Sequence, residues 1–189
     1  MSVKTDAKLM DAAKLKKLLD KSVSDEQELF RLVVDTPFDL KVDAAFLFLG
    51  ITVLLFANKK TGMIDRVALS NTELAKNTTD VTYVPFEEIK IPLDNHEGNI
   101  IARSIQTGQP QDTTDWKFLF DPALTAEQAR INQASAGIAY SAVYPFGARG
   151  GGAMIFSYYQ YASEIGEPQR AFMSNYIKLV DERLKKGVA

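Results

Sequence analysis

Few side chains in this sequence have the type and spacing that metal or acid–base chemistry requires. The only histidine, His96, is flanked by Asp94 and Glu97. A protein metal site usually combines several histidine, cysteine or carboxylate ligands, and the segment 94–98 is also typical of a polar turn. Glu87 and Glu88 are adjacent, so in a strand they would point to opposite faces and could not share a substrate. We therefore predict a turn at 94–98, with no metal.

A nucleophile is equally hard to find. The sequence has no cysteine, which excludes thiolate catalysis, thiolate metal sites and disulfides. Ser141 lies in a predicted strand without the G-x-S-x-G pattern of a nucleophile elbow. These observations predict that the chain is not an enzyme. The alternative is a hydrolase or transferase that uses Ser141 or Asp112.

The glycine-rich segment 147–152 has two interpretations. It could cradle a phosphate, but it lacks the Lys-Ser/Thr that follows in a P-loop, and a strand rather than a helix comes after it. A hairpin turn that needs positive φ angles fits the pattern better. We therefore predict a turn between two strands.

Composition restricts the partners and the location of the chain. With 46% hydrophobic residues, 24% charged residues and a net charge of −2, it lacks the basic character of a nucleic-acid-binding domain. Its longest apolar run is too short for a transmembrane helix, and the N-terminus lacks a secretory signal. We expect a cytoplasmic protein. Lys14, Lys17 and Lys21 share one face of a predicted helix, which is either solvated or a peripheral contact with an anionic membrane.

The segment Ala44–Ala57 is the apolar centre of the sequence. Only Gly50 and Thr52 interrupt it, and apolar residues occupy both alternations. A strand that is apolar on both faces must be covered on both faces, so this segment is predicted to be the central strand of a sheet.

The other elements are predicted from periodicity, capping residues and turn residues. Segment 70–80 reads as a loop or short helix, and strand-like pieces interrupted by prolines follow over 81–91. Capping-box patterns occur at Ser24/Gln27 and at Thr125/Gln128, and Thr36-Pro37 is expected to end the second helix. The predicted helices are 5–22, 24–34, 98–108, 126–136 and 168–186, and the further strands are 63–69, 138–146 and 153–161. Hairpin-linked strands with flanking helices indicate an α+β fold.

Three stretches of the chain resemble a GAF domain. Segment 29–49 is similar to the entry helix and first core strand of that family, and 97–116 is similar to its middle helix with a glycine-proline turn. Segment 141–160 is similar to its last strand pair. A PAS-like or profilin-like relative is the nearest competitor. The resemblance implies a single GAF-like domain over 24–189, with 1–23 as an N-terminal helical extension.

The resemblance also implies an architecture and a function. We expect an antiparallel sheet of about six strands, with the terminal helices on one face and a ligand pocket on the other. The cysteines of bilin-binding members and of free methionine sulfoxide reductases are absent, as is the NKFDE-type motif of cyclic-nucleotide binders, so no cofactor can be named. The expected function is a small-molecule-sensing or regulatory domain in signal transduction, acting as a homodimer. The alternative is an interaction module with a filled pocket.

Positions in the family pattern supply two sets of candidate residues. The expected ligand-binding residues are Trp116, Phe118, Asn132, Ser135, Tyr140, Ser141 and Tyr158. The expected dimer contacts on the terminal helices are Leu15, Leu19, Phe172, Tyr176, Val180 and Leu184. The same apolar stripe could instead be used entirely in covering the sheet, and the sequence leaves both possibilities open.

Overall fold

A computed structural model of the protein describes residues 11–159 and 165–188. The helices are α1 (Ala12–Leu19), α2 (Glu26–Asp39), α3 (Lys41–Leu47), α4 (Glu73–Val81), α5 (Ile100–Thr107), α6 (Lys117–Phe120), α7 (Ala126–Ala136) and α8 (Glu167–Lys186). The strands are β1 (Leu49–Asn58), β2 (Met63–Leu69), β3 (Ile91–Pro92), β4 (Gln111–Thr113), β5 (Tyr140–Phe146) and β6 (Gly152–Tyr158). Residues 5–10 of the first predicted helix and 160–161 of the last predicted strand lie outside the described residues.

The strands form one antiparallel sheet in the order β3-β2-β1-β6-β5-β4, with β1 and β6 at its centre. We call the side that carries Leu54 and Phe156 the helix face, because α1, α2 and α8 pack there. We call the side that carries Val53 and Ile155 the cavity face, which is covered by α4 to α7. The predicted six-stranded α+β architecture is confirmed. Within the described residues, no helix is long and apolar enough to cross a bilayer.

The predicted central strand is wrong in its first part. Residues up to Leu47 belong to α3, and β1 begins only at Leu49. Phe48, with a φ of 60°, makes the break between them. Ala44 and Leu47 are both buried at helical spacing, and periodicity alone does not distinguish a buried helix from a buried strand in a continuous apolar run.

Helix α2 continues through Pro37 to Asp39, so the prediction that Thr36-Pro37 ends the helix is wrong. A proline inside a helix leaves the carbonyl four residues earlier without its N–H donor. Here that carbonyl belongs to Val33, and the hydroxyl of Tyr176 donates to it at 2.6 Å. On the same turn, the Thr52 hydroxyl of β1 donates to the Val34 carbonyl, also at 2.6 Å. The Tyr176 hydrogen bond replaces the missing helical one, and the Thr52 hydrogen bond joins the same turn to β1.

Two other local predictions are corrected. The residue that caps α2 is Asp25, whose carboxylate accepts from the backbone N–H of Glu28, and not Ser24. The segment 81–91 forms a 3-10 turn at Phe86–Glu88 and the two-residue strand β3, so little of it is strand. By contrast, the Thr125/Gln128 capping box and the left-handed glycines that end α5 and α7 are confirmed.

The glycine-rich segment forms the turn between β5 and β6. Arg149, Gly150 and Gly151 have positive φ angles, as that interpretation requires. Gly152 then enters β6 where a Cβ would lie only 2.2 Å from the Leu55 carbonyl oxygen of β1. A larger residue would therefore separate the two central strands.

The six residues predicted as dimer contacts are buried within the monomer, none more than 3% exposed: Leu15, Leu19, Phe172, Tyr176, Val180 and Leu184. They pack with Leu54 and Phe156 in a single core cluster. These apolar side chains are therefore used in covering the sheet, which is the second of the two possibilities that the sequence left open. The buried Arg183 of α8 also donates to the carbonyls of Leu19 and Lys21, which ties α1 to the rest of the fold.

Candidate functional site

An internal cavity of about 40 Å³ lies between the cavity face and its helical cover. The sheet contributes side chains from β1, β2 and β6, and the cover contributes side chains from α4, α6, α7, the 3-10 turn at Phe86–Glu88 and Trp116. Most of the wall is apolar. Three of the polar residues that line it are buried, namely Arg66, Asn132 and Ser157. The others are Thr78, Thr79 and Thr82.

Strand β2 contributes Arg66 and Leu69 to this wall, from the two sides of a β-bulge. Ala68 pairs with Leu54 on the helix face, whereas Arg66 pairs with Leu55 on the cavity face, so Val67 is the extra residue between them. An extra residue changes the side on which the following side chains lie. Arg66 shares the cavity face with Ile64 by simple alternation, and the bulge that follows brings Leu69 to the same face.

Arg66 is 6% exposed. Its Nη2 donates to the Leu119 carbonyl at 3.3 Å, and its guanidinium carbon lies 4.6 Å from the centre of the Phe120 ring. Its Nε has no hydrogen-bond partner, and no carboxylate of the described residues lies within 4.0 Å of the guanidinium. Burial lowers the pKa of Arg66 to about 10, so the side chain still carries its charge at neutral pH. It is a buried cation without an anionic partner.

Asn132 projects from α7 into the same cavity and is completely buried. Its Nδ2 donates to the Thr82 hydroxyl at 3.1 Å, which orients the amide. Its Oδ1 is buried without a partner. Buried polar atoms in folded proteins are nearly always hydrogen-bonded. Arg66 and Asn132 are therefore unusual, since each lines the cavity and each has one buried polar atom without a partner.

The third polar group belongs to a short chain of hydrogen bonds. The Trp116 indole Nε1 donates to the Ser141 hydroxyl at 2.9 Å, and the Ser141 and Ser157 hydroxyls lie 2.8 Å apart. The Gln133 side chain in addition accepts from the Trp116 backbone N–H. Ser141 thus holds the indole in place, and no histidine or carboxylate contacts its hydroxyl among the described residues. This is the arrangement of a positioning group rather than of an activated nucleophile.

The structure brings only some of the predicted ligand-binding residues together. Trp116 and Asn132 line the cavity, and Ser141 lies directly behind Trp116. Phe118 is 38% exposed, with the Lys117 ammonium 5.0 Å from its ring centre, and Ser135 is exposed. Neither of these two contributes to the wall.

Tyr140 and Tyr158 were predicted at the pocket, but both lie on the helix face. Neighbouring residues of a strand point to opposite sides, so Tyr140 cannot share a side with Ser141, nor Tyr158 with Ser157. The Tyr140 hydroxyl donates to Asp112 at 2.9 Å, and burial together with this carboxylate raises the pKa of Tyr140. The Tyr158 hydroxyl is buried without a partner, and burial raises its pKa as well.

The other candidates for chemistry are separate from the cavity. His96 is exposed, with its Nδ1 2.9 Å from the Asp94 carbonyl, and Asp112 accepts from Tyr140 near the sheet edge. No group of three or more histidine, cysteine, aspartate or glutamate side chains that could hold a metal occurs in the part of the chain that the structure describes.

Arg66 was not predicted from the sequence. Its signal was a lone cation in the alternation Ile64-Asp65-Arg66-Val67, two residues from an isoleucine that is fully buried. A charged residue on the buried alternation of a strand rarely remains without function or partner.

Several solved structures share this fold. The GAF domain of an Acinetobacter phosphoenolpyruvate-protein phosphotransferase superimposes with a TM-score of 0.60 at 10% identity, over 98% of this chain and 96% of that one. Residues 122 to 287 of a methyl-accepting chemotaxis protein give 0.53 at 16% identity, over 93% and 92%. A free methionine-R-sulfoxide reductase from Neisseria meningitidis, in complex with its substrate, gives 0.56 at 10% identity, over 93% and 87%. No protein-family model and no curated protein sequence matches the chain. The chain has a GAF-like fold.

The last of these structures corrects a prediction. We expected the chain not to be an enzyme, but a reductase has the same fold over most of its length. The GAF-like fold therefore includes enzymes, so the prediction that excluded an enzyme is wrong. The lack of cysteine, on which that prediction rested, excludes thiol chemistry alone.

Proposed function

We propose that this GAF-like domain senses a small molecule in signal transduction and that the ligand occupies the cavity beside Arg66 and Asn132. The observation that carries the proposal is one apolar cavity lined by Arg66 and Asn132, two buried residues that each have a polar atom without a partner. Binding pockets for small molecules are typically apolar with a few placed polar groups.

The sheet offers a route from the cavity to the terminal helices. Val53 of β1 lines the cavity, and its neighbour Thr52 points to the other side and donates to the Val34 carbonyl of α2. A ligand that displaces β1 would therefore act on α2 through one residue. A likeness in fold to part of a chemotaxis protein is consistent with such a role.

Mass spectrometry of the freshly purified protein under native conditions tests the proposal. We expect a retained small molecule, released on denaturation, and a higher unfolding temperature when it is added back. A ligand at a hundredfold excess over its dissociation constant stabilises a protein by about 2.7 kcal/mol. Trp116, the only tryptophan, lies in the cavity wall and reports occupancy by fluorescence. The absence of a retained mass, and of a thermal or fluorescence shift across a metabolite panel, would contradict it.

The size of the cavity favours a second function. A volume of about 40 Å³ has room for about three water molecules, and the aromatic rings of Trp116, Phe86 and Phe120 occupy much of the space around it. The domain would then be an interaction module whose pocket is filled by these aromatic side chains and holds no ligand. For this second function we expect no retained mass, and no thermal or fluorescence shift across the metabolite panel.

Homodimerisation remains a proposal, through a surface other than the buried stripe of the terminal helices. The larger apolar side chains that are exposed in the described residues are Val81, Tyr83, Phe118, Ile131, Tyr159 and Val188. Sedimentation at micromolar concentration tests it, and a monomer at all concentrations would contradict it.

A further inference from the structure

We propose that a ligand enters the cavity through the crevice between α2 and α4, by displacing Leu69 and the C-terminal half of α4. This inference rests on the proposed function, since it supplies the route by which the sensed molecule arrives. It follows from three properties of the described residues: a surface crevice next to the cavity, a thin wall between the two, and the weak packing of α4.

A surface crevice of about 310 Å³ lies next to the cavity. Helix α2 contributes Arg31 and Asp35 to it, and α4 contributes Lys76. Leu69 and Thr79 line both the crevice and the cavity. The two spaces therefore meet at these two residues, one at the end of β2 and the other on α4.

The wall of the cavity is thinnest at this point. Among the described residues that line the cavity, Thr79 is the only exposed one, and Leu69 is only half-buried. By contrast, the wall residues from the centre of the sheet and from α6 are buried, namely Ile51, Val53, Ile155, Leu119 and Phe120. A molecule that entered elsewhere would have to cross the core, whereas beside Leu69 it has to pass one layer of side chains.

Helix α4 is packed weakly against the rest of the fold. Of its nine residues, all within the described part of the chain, Ala75 alone is buried. The segment 77–81, Asn-Thr-Thr-Asp-Val, consists entirely of residues with low helix propensity. The hydroxyls of Thr78 and Thr79 donate to carbonyls of the same helix. Segments with few buried contacts open at a low free-energy cost, so α4 is the part of the cover that can move.

The hydrogen bonds at the two ends of α4 define how it opens. At the N-terminal end, the Thr72 side chain caps the helix and also donates to the Gly50 carbonyl of β1 at 2.7 Å. At the C-terminal end, the Thr82 hydroxyl accepts from Asn132 Nδ2 at 3.1 Å. Breaking the bond between Asn132 and Thr82 would let segment 77–82 move away from Leu69 while the Thr72 end stays in place.

Acrylamide quenching of Trp116 fluorescence tests this route without a ligand. Trp116 is the only tryptophan, lines the cavity and is 4% exposed. Acrylamide is larger than the closed cavity of about 40 Å³, so it reaches the indole only when the wall opens. Leu69→Ala removes part of the barrier, and we expect the bimolecular quenching constant to rise about fivefold.

Leu93→Ala is the matched control for Leu69→Ala. Leu93 is also half-buried and packs against the same core cluster, but it does not line the cavity. We expect its quenching constant to equal that of the unmodified protein. An unchanged constant in Leu69→Ala, or an equal rise in both variants, would overturn the proposed route.

A reversible cross-link across the crevice provides a second test. The chain has no cysteine, so Arg31→Cys/Lys76→Cys introduces the only two thiols, at exposed positions that line the crevice. A bismaleimide with a cleavable spacer should join α2 to α4 and lower the quenching constant, and cleavage of the spacer should restore it. Lys76→Cys alone, treated with the same reagent, is the control. A quenching constant that the cross-link does not change would contradict entry between α2 and α4.

Failure of the inference differs from failure of the proposed function. A retained ligand that associates at the same rate with the unmodified protein, with Leu69→Ala and with the cross-linked protein would overturn the route and leave sensing in place. Quenching that responds to Leu69→Ala and to the cross-link, in a protein that retains no molecule, would contradict sensing and support the opening between α2 and α4.

Discussion

Arg183 and Arg66 are both buried arginines, but their surroundings differ in kind. Arg183, on α8, is 4% exposed and donates to three backbone carbonyls, those of Leu19, Lys21 and Gly187. Arg66, on the cavity face, is 6% exposed and donates to one. The guanidinium of Arg183 therefore holds the terminal helices together. That of Arg66 retains capacity for a group that the chain does not provide.

The helix face and the cavity face of the sheet offer a second comparison between a polar atom with a partner and one without. On the helix face, a proline inside α2 leaves the Val33 carbonyl free, and Tyr176 donates to it. On the cavity face, Asn132 is oriented by Thr82, but its Oδ1 stays unused. Unsatisfied polar atoms lower stability. Of the three such buried side-chain atoms in the described residues, two belong to residues that line the cavity, and the third is the Tyr158 hydroxyl on the helix face. Four substitutions test this comparison.

The largest effect is expected for Arg183→Met. Three carbonyls would lose their donor, and we expect the free energy of unfolding to fall by about 3 kcal/mol. Urea denaturation measures the change. Lys178→Met is the control, because that lysine is exposed on the same helix. If both substitutions had the same small effect, the hydrogen bonds of Arg183 would not contribute measurably to stability.

Tyr176→Phe should lower the free energy of unfolding by about 2 kcal/mol, because the buried Val33 carbonyl would have no partner. The same substitution in a Pro37→Ala background should cost less, since an alanine N–H can donate to that carbonyl within the helix. Tyr83→Phe, at a side chain 57% exposed, is the control. Equal losses in the two backgrounds would show that the hydroxyl does not compensate for the proline.

Arg66→Met should change the free energy of unfolding in the opposite direction. Without a ligand, removal of an unpaired buried charge in favour of an apolar side chain of similar length should raise the free energy of unfolding by about 1 kcal/mol. Thermal and urea unfolding of the ligand-free protein measure it. If Arg66→Met lowered the free energy of unfolding as much as Arg183→Met does, Arg66 would have a structural role, and the two arginines would not differ in kind.

The smallest effect is expected for Asp35→Asn on α2. Asp35 accepts from the Asn71 backbone N–H at 2.7 Å, and burial raises the pKa of its carboxyl. A raised pKa in the folded state favours the protonated form, so stability from this group is lost as the pH rises through that value. Asparagine keeps the acceptor without the charge.

We expect Asp35→Asn to gain about 0.5 kcal/mol at pH 7, because the half-exposed carboxylate is screened by water. The gain should disappear below about pH 4, where the carboxyl is protonated in both states. Asp80→Asn, at an exposed position of α4, is the control. A gain that did not depend on pH would assign the effect to something other than ionisation.

Local features of the fold were predictable from the sequence because their determinants lie within a few residues. The Thr125/Gln128 capping box joins side chains and backbone three residues apart, and Gly108 and Gly137 adopt left-handed angles that favour glycine. The alternation of β2 and the apolar stripe of α8 likewise predicted their elements. The stripe did not reveal its partner, because a buried helix face looks the same whether it covers a sheet or a second chain.

The sequence by itself determined the α+β class, the order of most elements and two cavity residues, Trp116 and Asn132, through local pattern and family resemblance. Tertiary structure decided the rest. The identity of 44–47 as helix depends on packing. The continuation of α2 through Pro37 depends on a hydroxyl that lies 143 positions from the Val33 carbonyl it contacts, and the position of Leu69 on the cavity face depends on a bulge against β1. Hydrogen bonds and strand registers between distant segments have no local signature, and they build the wall of the cavity.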